Sequence, residues 1–184
     1  MQKYIHKVNY YETDKMGITH HSNYIRWMEE ARLDFLDNMG LGYKKLEEMG
    51  IISPVIGVEC NYKAATTFDD KIEIQVEVEE FKGVKLVVRY VMKNIDTQEI
   101  VLEGKTKHCF VDKNNKPIIL KKSFPEIDKI IRDSNTVSDS VDNNIVFALD
   151  IVPSAEFKPS PLALAHWPNL SIAEANPLLS CART

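Results

Sequence analysis

Apolar positions recur at helical spacing between residues 22 and 39. Tyr24, Met28, Ala31, Phe35, Leu36 and Met39 fall on one broad stripe, with Arg26, Glu30, Asp34 and Asp37 opposite. This is the period of an amphipathic helix. Ser22 is placed to cap its start and Gly40 to end it. A shorter helical pattern, YKKLEEM, follows at 43–49 and closes at Gly50.

Beyond residue 50 the main body reads as strands. The segment IISPVIGVECNYKA is β-branched and apolar, and DKIEIQVEVEEF alternates cleanly. Ile72, Ile74, Val76 and Val78 lie on one side of that strand, and Glu73, Gln75, Glu77 and Glu79 on the other, as in a half-buried antiparallel strand. Lys82-Gly83 turns the chain into VKLVVRYVMKNI, and Asp96-Thr97-Gln98 turns it into EIVLEGKTKHCFVD. Residues 3–11 read as a first, mixed strand, and SFPEIDKIIRD as a terminal helix after Pro125. The order β, α, then four strands joined mostly by short turns predicts an α+β layer: one long helix on one antiparallel sheet.

Composition shifts after residue 133. Pro153, Pro159, Pro161, Pro168 and Pro177 crowd the last segment, while Lys158 and Arg183 are its only basic residues. It shows no sustained period and too many prolines for a helix or a central strand. The expected organisation is therefore a domain over residues 1–133 and a Pro-rich tail over 134–184 outside the fold.

A net charge of −4 gives no electrostatic case for nucleic acid. No apolar run reaches the roughly 18–20 residues that span a bilayer. Cys60, Cys109 and Cys181 are scattered, with no CxxC, and read as free thiols in a reducing compartment. The expectation is a cytoplasmic protein that binds neither nucleic acid nor membrane.

The chemistry concentrates in YYETDKMGITHHSNYIRWMEEAR, residues 10–32. A helix start exposes unpaired N–H groups and a partial positive charge, which can face a developing oxyanion. Gly17 lets the backbone approach a substrate closely. Asp14, just ahead, can attack a carbonyl or activate water. His21 and Asn23 are placed to hold a carbonyl, a water or a leaving group. An Asp before a helix also serves as a cap or turn former, and spacing alone leaves both readings open. Adjacent His20 and His21 diverge and have no acid spaced as a further ligand, so no metal site is expected.

The same segment resembles the signature of the hot-dog-fold acyl-CoA thioesterases related to 4-hydroxybenzoyl-CoA thioesterase. Tyr10-Tyr11, Asp14, Gly17, His21 and Asn23-Tyr24 match its aromatic strand, acid, glycine loop and helix opening. VECNYKAATTFDDKIEIQVEV, FVDKNNKPIIL and FPEI continue the resemblance, which covers about residues 3–132. Lys15-Met16 replaces a smaller pair, Lys63-Ala64-Ala65 stands where Arg and Pro are common, and the tail has no counterpart.

The resemblance implies a hot-dog fold: a five-stranded antiparallel sheet wrapped around one long central helix. It implies Asp14 as nucleophile or general base, with His21 as the second catalytic candidate. Gly17, Asn23, Tyr24 and Tyr62 form the substrate-binding set, although Tyr24 also reads as core and Tyr62 as a solvated strand face. The implied substrate is an acyl-CoA or acyl-carrier-protein thioester, without cofactor or metal. The implied assembly is a homodimer or homotetramer whose paired sheets bring Asp14 near residues 62–68 of a neighbour. A non-catalytic acyl-thioester-binding module on the same fold is the alternative.

Overall fold

The computed structural model describes residues 2–136. Its elements are β1 (Gln2–Lys7), a 3₁₀ turn (Tyr10–Glu12), α1 (His21–Asn38), α2 (Tyr43–Glu48), β2 (Val55–Tyr62), β3 (Lys71–Phe81), β4 (Lys85–Asn94), β5 (Ile100–Cys109), α3 (Leu120–Ser123) and α4 (Pro125–Thr136). The strands form one antiparallel sheet in the order β1-β3-β4-β5-β2. Among the described residues β1 and β2 are therefore the two open edges.

The alternating strand pattern is realised residue by residue. Ile72, Ile74, Val76 and Val78 are buried, as are Leu86, Val88, Tyr90 and Met92 of β4. The opposite face of the sheet is charged and laced with cross-strand pairs such as Arg89–Glu77 at 3.0 Å and Lys105–Glu79 at 2.6 Å. Lys63 likewise pairs with Glu103. Such exposed pairs add little to stability but keep this face polar.

α1 covers the apolar face. Its stripe is wider than its periodicity suggested: Trp27 is fully buried beside Met28 and Ala31, and Asn23 and Arg32 are buried too. Close approach of helix and sheet depends on Gly104 in β5. A Cβ there would stand 2.8 Å from Met28 Sδ and 3.0 Å from the Glu59 carbonyl oxygen.

Three boundaries differ from the sequence reading. β1 ends at Lys7 rather than continuing to residue 11, because Asn9 opens a 3₁₀ turn in which its N–H donates to Glu12 Oε2 at 2.6 Å. The cap of α1 is His20 rather than Ser22: His20 is extended (ψ 132°), and its Nδ1 accepts the Ser22 N–H at 3.4 Å. α4 runs on to Thr136, past the expected domain limit at 133. The reading of the tail beyond that helix lies outside the described residues.

Candidate active site

The segment from Thr13 to Thr19 is a closed loop. Thr13 and Thr19 bridge, the Asp14 N–H donates to the Ile18 carbonyl at 2.8 Å, and the Gly17 N–H donates back to the Asp14 carbonyl at 2.9 Å. Gly17 sits at φ +77°, a conformation that costs glycine nothing and a side-chain-bearing residue about 1 kcal/mol or more. Asp14 is half-buried. Its Oδ1 accepts the Met16 N–H at 2.7 Å, which orients the carboxylate within the loop.

Two attachments fix the loop to the rest of the fold. On one side Ile18 bridges Thr67, and the Thr19 N–H donates to the Thr66 carbonyl at 2.8 Å. The Asp14 loop thus meets the segment after β2 within its own chain. On the other side the carbonyl of Glu12 accepts both the His20 N–H at 2.8 Å and the Asn23 side-chain N–H at 2.7 Å. The root of the loop is thereby tied to the first turn of α1, where the Ser22 N–H meets His20 Nδ1 and the Asn23 N–H meets the His20 carbonyl.

The remaining site residues divide into exposed and buried groups. His21 is exposed, and its ring lies against that of His20, tilted by 36° with centroids 4.2 Å apart, so the two side chains do not diverge as expected. Tyr62, on β2, donates its hydroxyl to the His21 carbonyl at 3.1 Å and meets Tyr24 edge-on at 5.4 Å. Tyr24 is buried, and its hydroxyl joins a chain with Thr66 at 3.0 Å and Thr19 at 2.7 Å beyond. Burial raises the Tyr24 phenol above its usual range, so it stays protonated. Asn23 is buried and spends its amide N–H on Glu12. Asp14 and Gly17 on the loop, His21 at the helix start and Tyr62 at the end of β2 are therefore in reach of solvent, while Asn23 and Tyr24 are buried. Exposed Tyr10, Met16 and Phe68 add an apolar margin, with Tyr10 edge-on to Phe68 at 5.8 Å.

Sequence reasoning passed over Glu12. Its carboxylate is buried, with Oε1 accepting the Trp27 Nε1–H at 2.7 Å and Oε2 lying 3.0 Å from His6 Nε2. Burial alone would raise its pKa, but the Asn9 N–H, His6 and the Trp27 N–H outweigh burial and hold the carboxyl below the usual carboxylate range. The one available signal was the spacing Asn9-Tyr10-Tyr11-Glu12, an Asn followed three residues later by Glu, as in a capping box. Among the described residues no three His, Cys, Asp or Glu side chains converge as a metal site. None of their helices is long and apolar enough to cross a membrane.

Comparison with known proteins gives this geometry a family. The model of the thioesterase-like superfamily matches residues 8–159, most of the chain and all of the loop and helix just described. The chain belongs to the thioesterase-like superfamily. It is thus an enzyme of the thioester-hydrolase class, on the hot-dog fold anticipated from its sequence. The solved DHNA-CoA thioesterase from Staphylococcus aureus superposes with a TM-score of 0.70 at 31% identity, covering 74% of this chain and 92% of that one. A solved protein from Aquifex aeolicus matches with a TM-score of 0.65 at 34% identity, over 71% of this chain and 99% of its own. A Bacillus subtilis protein bearing the name "Putative acyl-CoA thioesterase YneP" is 34% identical over 121 residues, 65% of this chain and 87% of that relative.

Proposed function

We propose that this superfamily member hydrolyses an acyl-CoA thioester to the free acid and CoA, with the carboxylate of Asp14 acting on the carbonyl. The observation that carries the reading is the loop itself. It closes through Asp14 N–H to Ile18 and through Thr13–Thr19, and Glu12 ties it to the helix cap. A half-buried carboxylate held on a closed loop tied to a helix start suits acyl transfer. The names of the S. aureus and B. subtilis relatives support CoA as carrier.

Two routes use the same carboxylate. Asp14 attacks the thioester carbon, expels the CoA thiolate and leaves an acyl-aspartyl anhydride that water then cleaves. Alternatively, Asp14 takes a proton from water, which attacks directly. Single turnover in ¹⁸O-water separates them, because hydrolysis of the anhydride at its aspartyl carbonyl leaves label in Asp14 and the general-base route leaves none. Hydrolysis rates over short, long and aromatic acyl-CoAs, with acyl carrier protein thioesters alongside, test the activity and the carrier. No turnover on any of them would favour a non-catalytic binding module.

The active form in this reading is a homodimer with its sites at the junction. The β2 edge, unpaired among the described residues, carries exposed Val55, Ile56, Val58 and Tyr62, the kind of open apolar edge that a second copy covers. Light scattering at low micromolar concentration is expected to give at least a dimer. A stable, fully active monomer would contradict this.

A further inference from the structure

The main-chain carbonyl of Glu12 ties the loop to the helix cap, but its carboxylate has no role in the reading above, although it joins β1, the 3₁₀ turn and α1. Its Oε1 binds the indole N–H of Trp27, in the second turn of α1, at 2.7 Å. Its Oε2 binds the Asn9 N–H at 2.6 Å and faces His6 Nε2 of β1 at 3.0 Å. The His6 ring stacks on Trp27 with centroids 4.5 Å apart, and its Nδ1 lies 3.3 Å from Glu30 Oε2 on α1. The Tyr4 hydroxyl donates to that same Glu30 oxygen at 3.1 Å. One buried carboxylate thus holds strand, turn and helix in register, and the main-chain carbonyl of the same residue accepts the His20 N–H at the returning limb of the Asp14 loop.

Burying a carboxylate this deeply is expensive unless several donors meet it, and here they do. A simple brace could be apolar at far lower cost. What a multiply bonded acid adds is direction, because each hydrogen bond fixes an angle as well as a distance. One residue, Thr13, separates Glu12 from Asp14, so a rotation at this root swings the loop relative to the helix start.

We propose that Glu12, clamped by Trp27 and His6, is the positioning residue that aims Asp14 at the thioester carbonyl. The proposal rests on the Asp14 reading above. Glu12 does not touch substrate; it acts through Asp14. Exchange for Gln keeps the shape but puts an NH₂ group against donors, so one of the contacts must break.

The test compares wild type, Glu12→Gln, Trp27→Phe, Asp14→Asn and the double variant Asp14→Asn/Glu12→Gln, using hexanoyl-CoA and benzoyl-CoA as probes and normalising to folded protein. Glu12→Gln is expected to lower kcat about 10- to 100-fold with KM within about threefold, the scale of a misplaced catalytic group. In the Asp14→Asn background it is expected to cost nothing further, because both changes act on one step. Trp27→Phe keeps an aromatic ring and removes the N–H, and it is expected to lower kcat about three- to tenfold. It carries the test alone where Glu12→Gln fails to fold. A full, independent loss in the double variant would show a general structural brace and overturn the proposal. Wild-type kcat in folded Glu12→Gln or Trp27→Phe, with Asp14→Asn crippled, overturns the Glu12 role alone. Wild-type turnover by Asp14→Asn overturns the Asp14 reading as well.

Discussion

The hydroxyl of Tyr62 donates to the main-chain carbonyl of His21, 3.1 Å away. This bond ties the last residue of the open edge strand β2 to the first residue of α1. Tyr62 also packs edge-on against Tyr24, whose hydroxyl reaches Thr66 and, through it, Thr19 at the end of the Asp14 loop. Edge strand, helix start and loop are thus one connected unit. Burial and the neighbouring Cys60 raise the Tyr62 phenol above its usual range, so it remains a neutral donor near pH 7.

Tyr62→Phe removes that one hydroxyl and keeps the ring contact. It is expected to lower kcat/KM about three- to tenfold, the value of one ordinary hydrogen bond, with a melting temperature close to wild type. Steady-state assay of CoA thiol release checks it. Unchanged kcat/KM would show that the edge strand and the helix start are held together without the bond.

Acid is expected to weaken the fold through His108. Its ring is buried in β5, with Nε2 2.8 Å from Thr106 Oγ1, and burial, with the charge of Arg32, lowers its pKa from 6.5 to about 4. The unfolded chain therefore takes up a proton at a pH where the folded chain does not. The stability due to neutral His108 is full above about pH 6.5 and is lost as pH falls toward 4. Chemical denaturation of wild type and His108→Gln between pH 7.5 and 4 checks it. The wild-type curve should fall more steeply across that window, and parallel curves would contradict the assignment.

Gly104→Ala is expected to destabilise the domain by about 1–3 kcal/mol, the cost of overpacking. The added methyl would press on the Glu59 carbonyl and on Met28, and only the Met28 side chain can move aside cheaply. Thermal melts check this, with a fall of several degrees expected. Because Met28 lies on α1, activity should fall with stability.

Hydrophobic periodicity revealed most of the scaffold. A period-two run identified β3, the turn at Lys82-Gly83 set off β4, and the helical stripe from Tyr24 to Met39 identified α1, because the two periods follow from which side chains must leave water. Strand order was not visible: β2 pairs with β5 at the far edge, a long-range choice that no local period encodes. Asp14 and Gly17 stood out because an acid and a flexible residue before a helix have chemical meaning. Glu12 and Trp27 did not. A glutamate looks exposed until the groups that meet it are known, and those come from a strand, a turn and a helix, at His6, Asn9 and Trp27, that only the fold brings together. The shift of the cap from Ser22 to His20 has a similar cause, since the His20 N–H is already held by Glu12.

Turnover by Asp14→Asn tests the account most directly. The substitution keeps the size of the side chain, and its carbonyl oxygen can still accept the Met16 N–H, so folding should be unaffected. Measured as kcat on the best acyl-CoA found for the wild type, activity is expected to fall at least about 100-fold, the lower end for removing an acid–base group or nucleophile. Circular dichroism and the melting temperature should match the wild type. A folded Asp14→Asn protein that turns over at the wild-type rate would remove Asp14 from the chemistry.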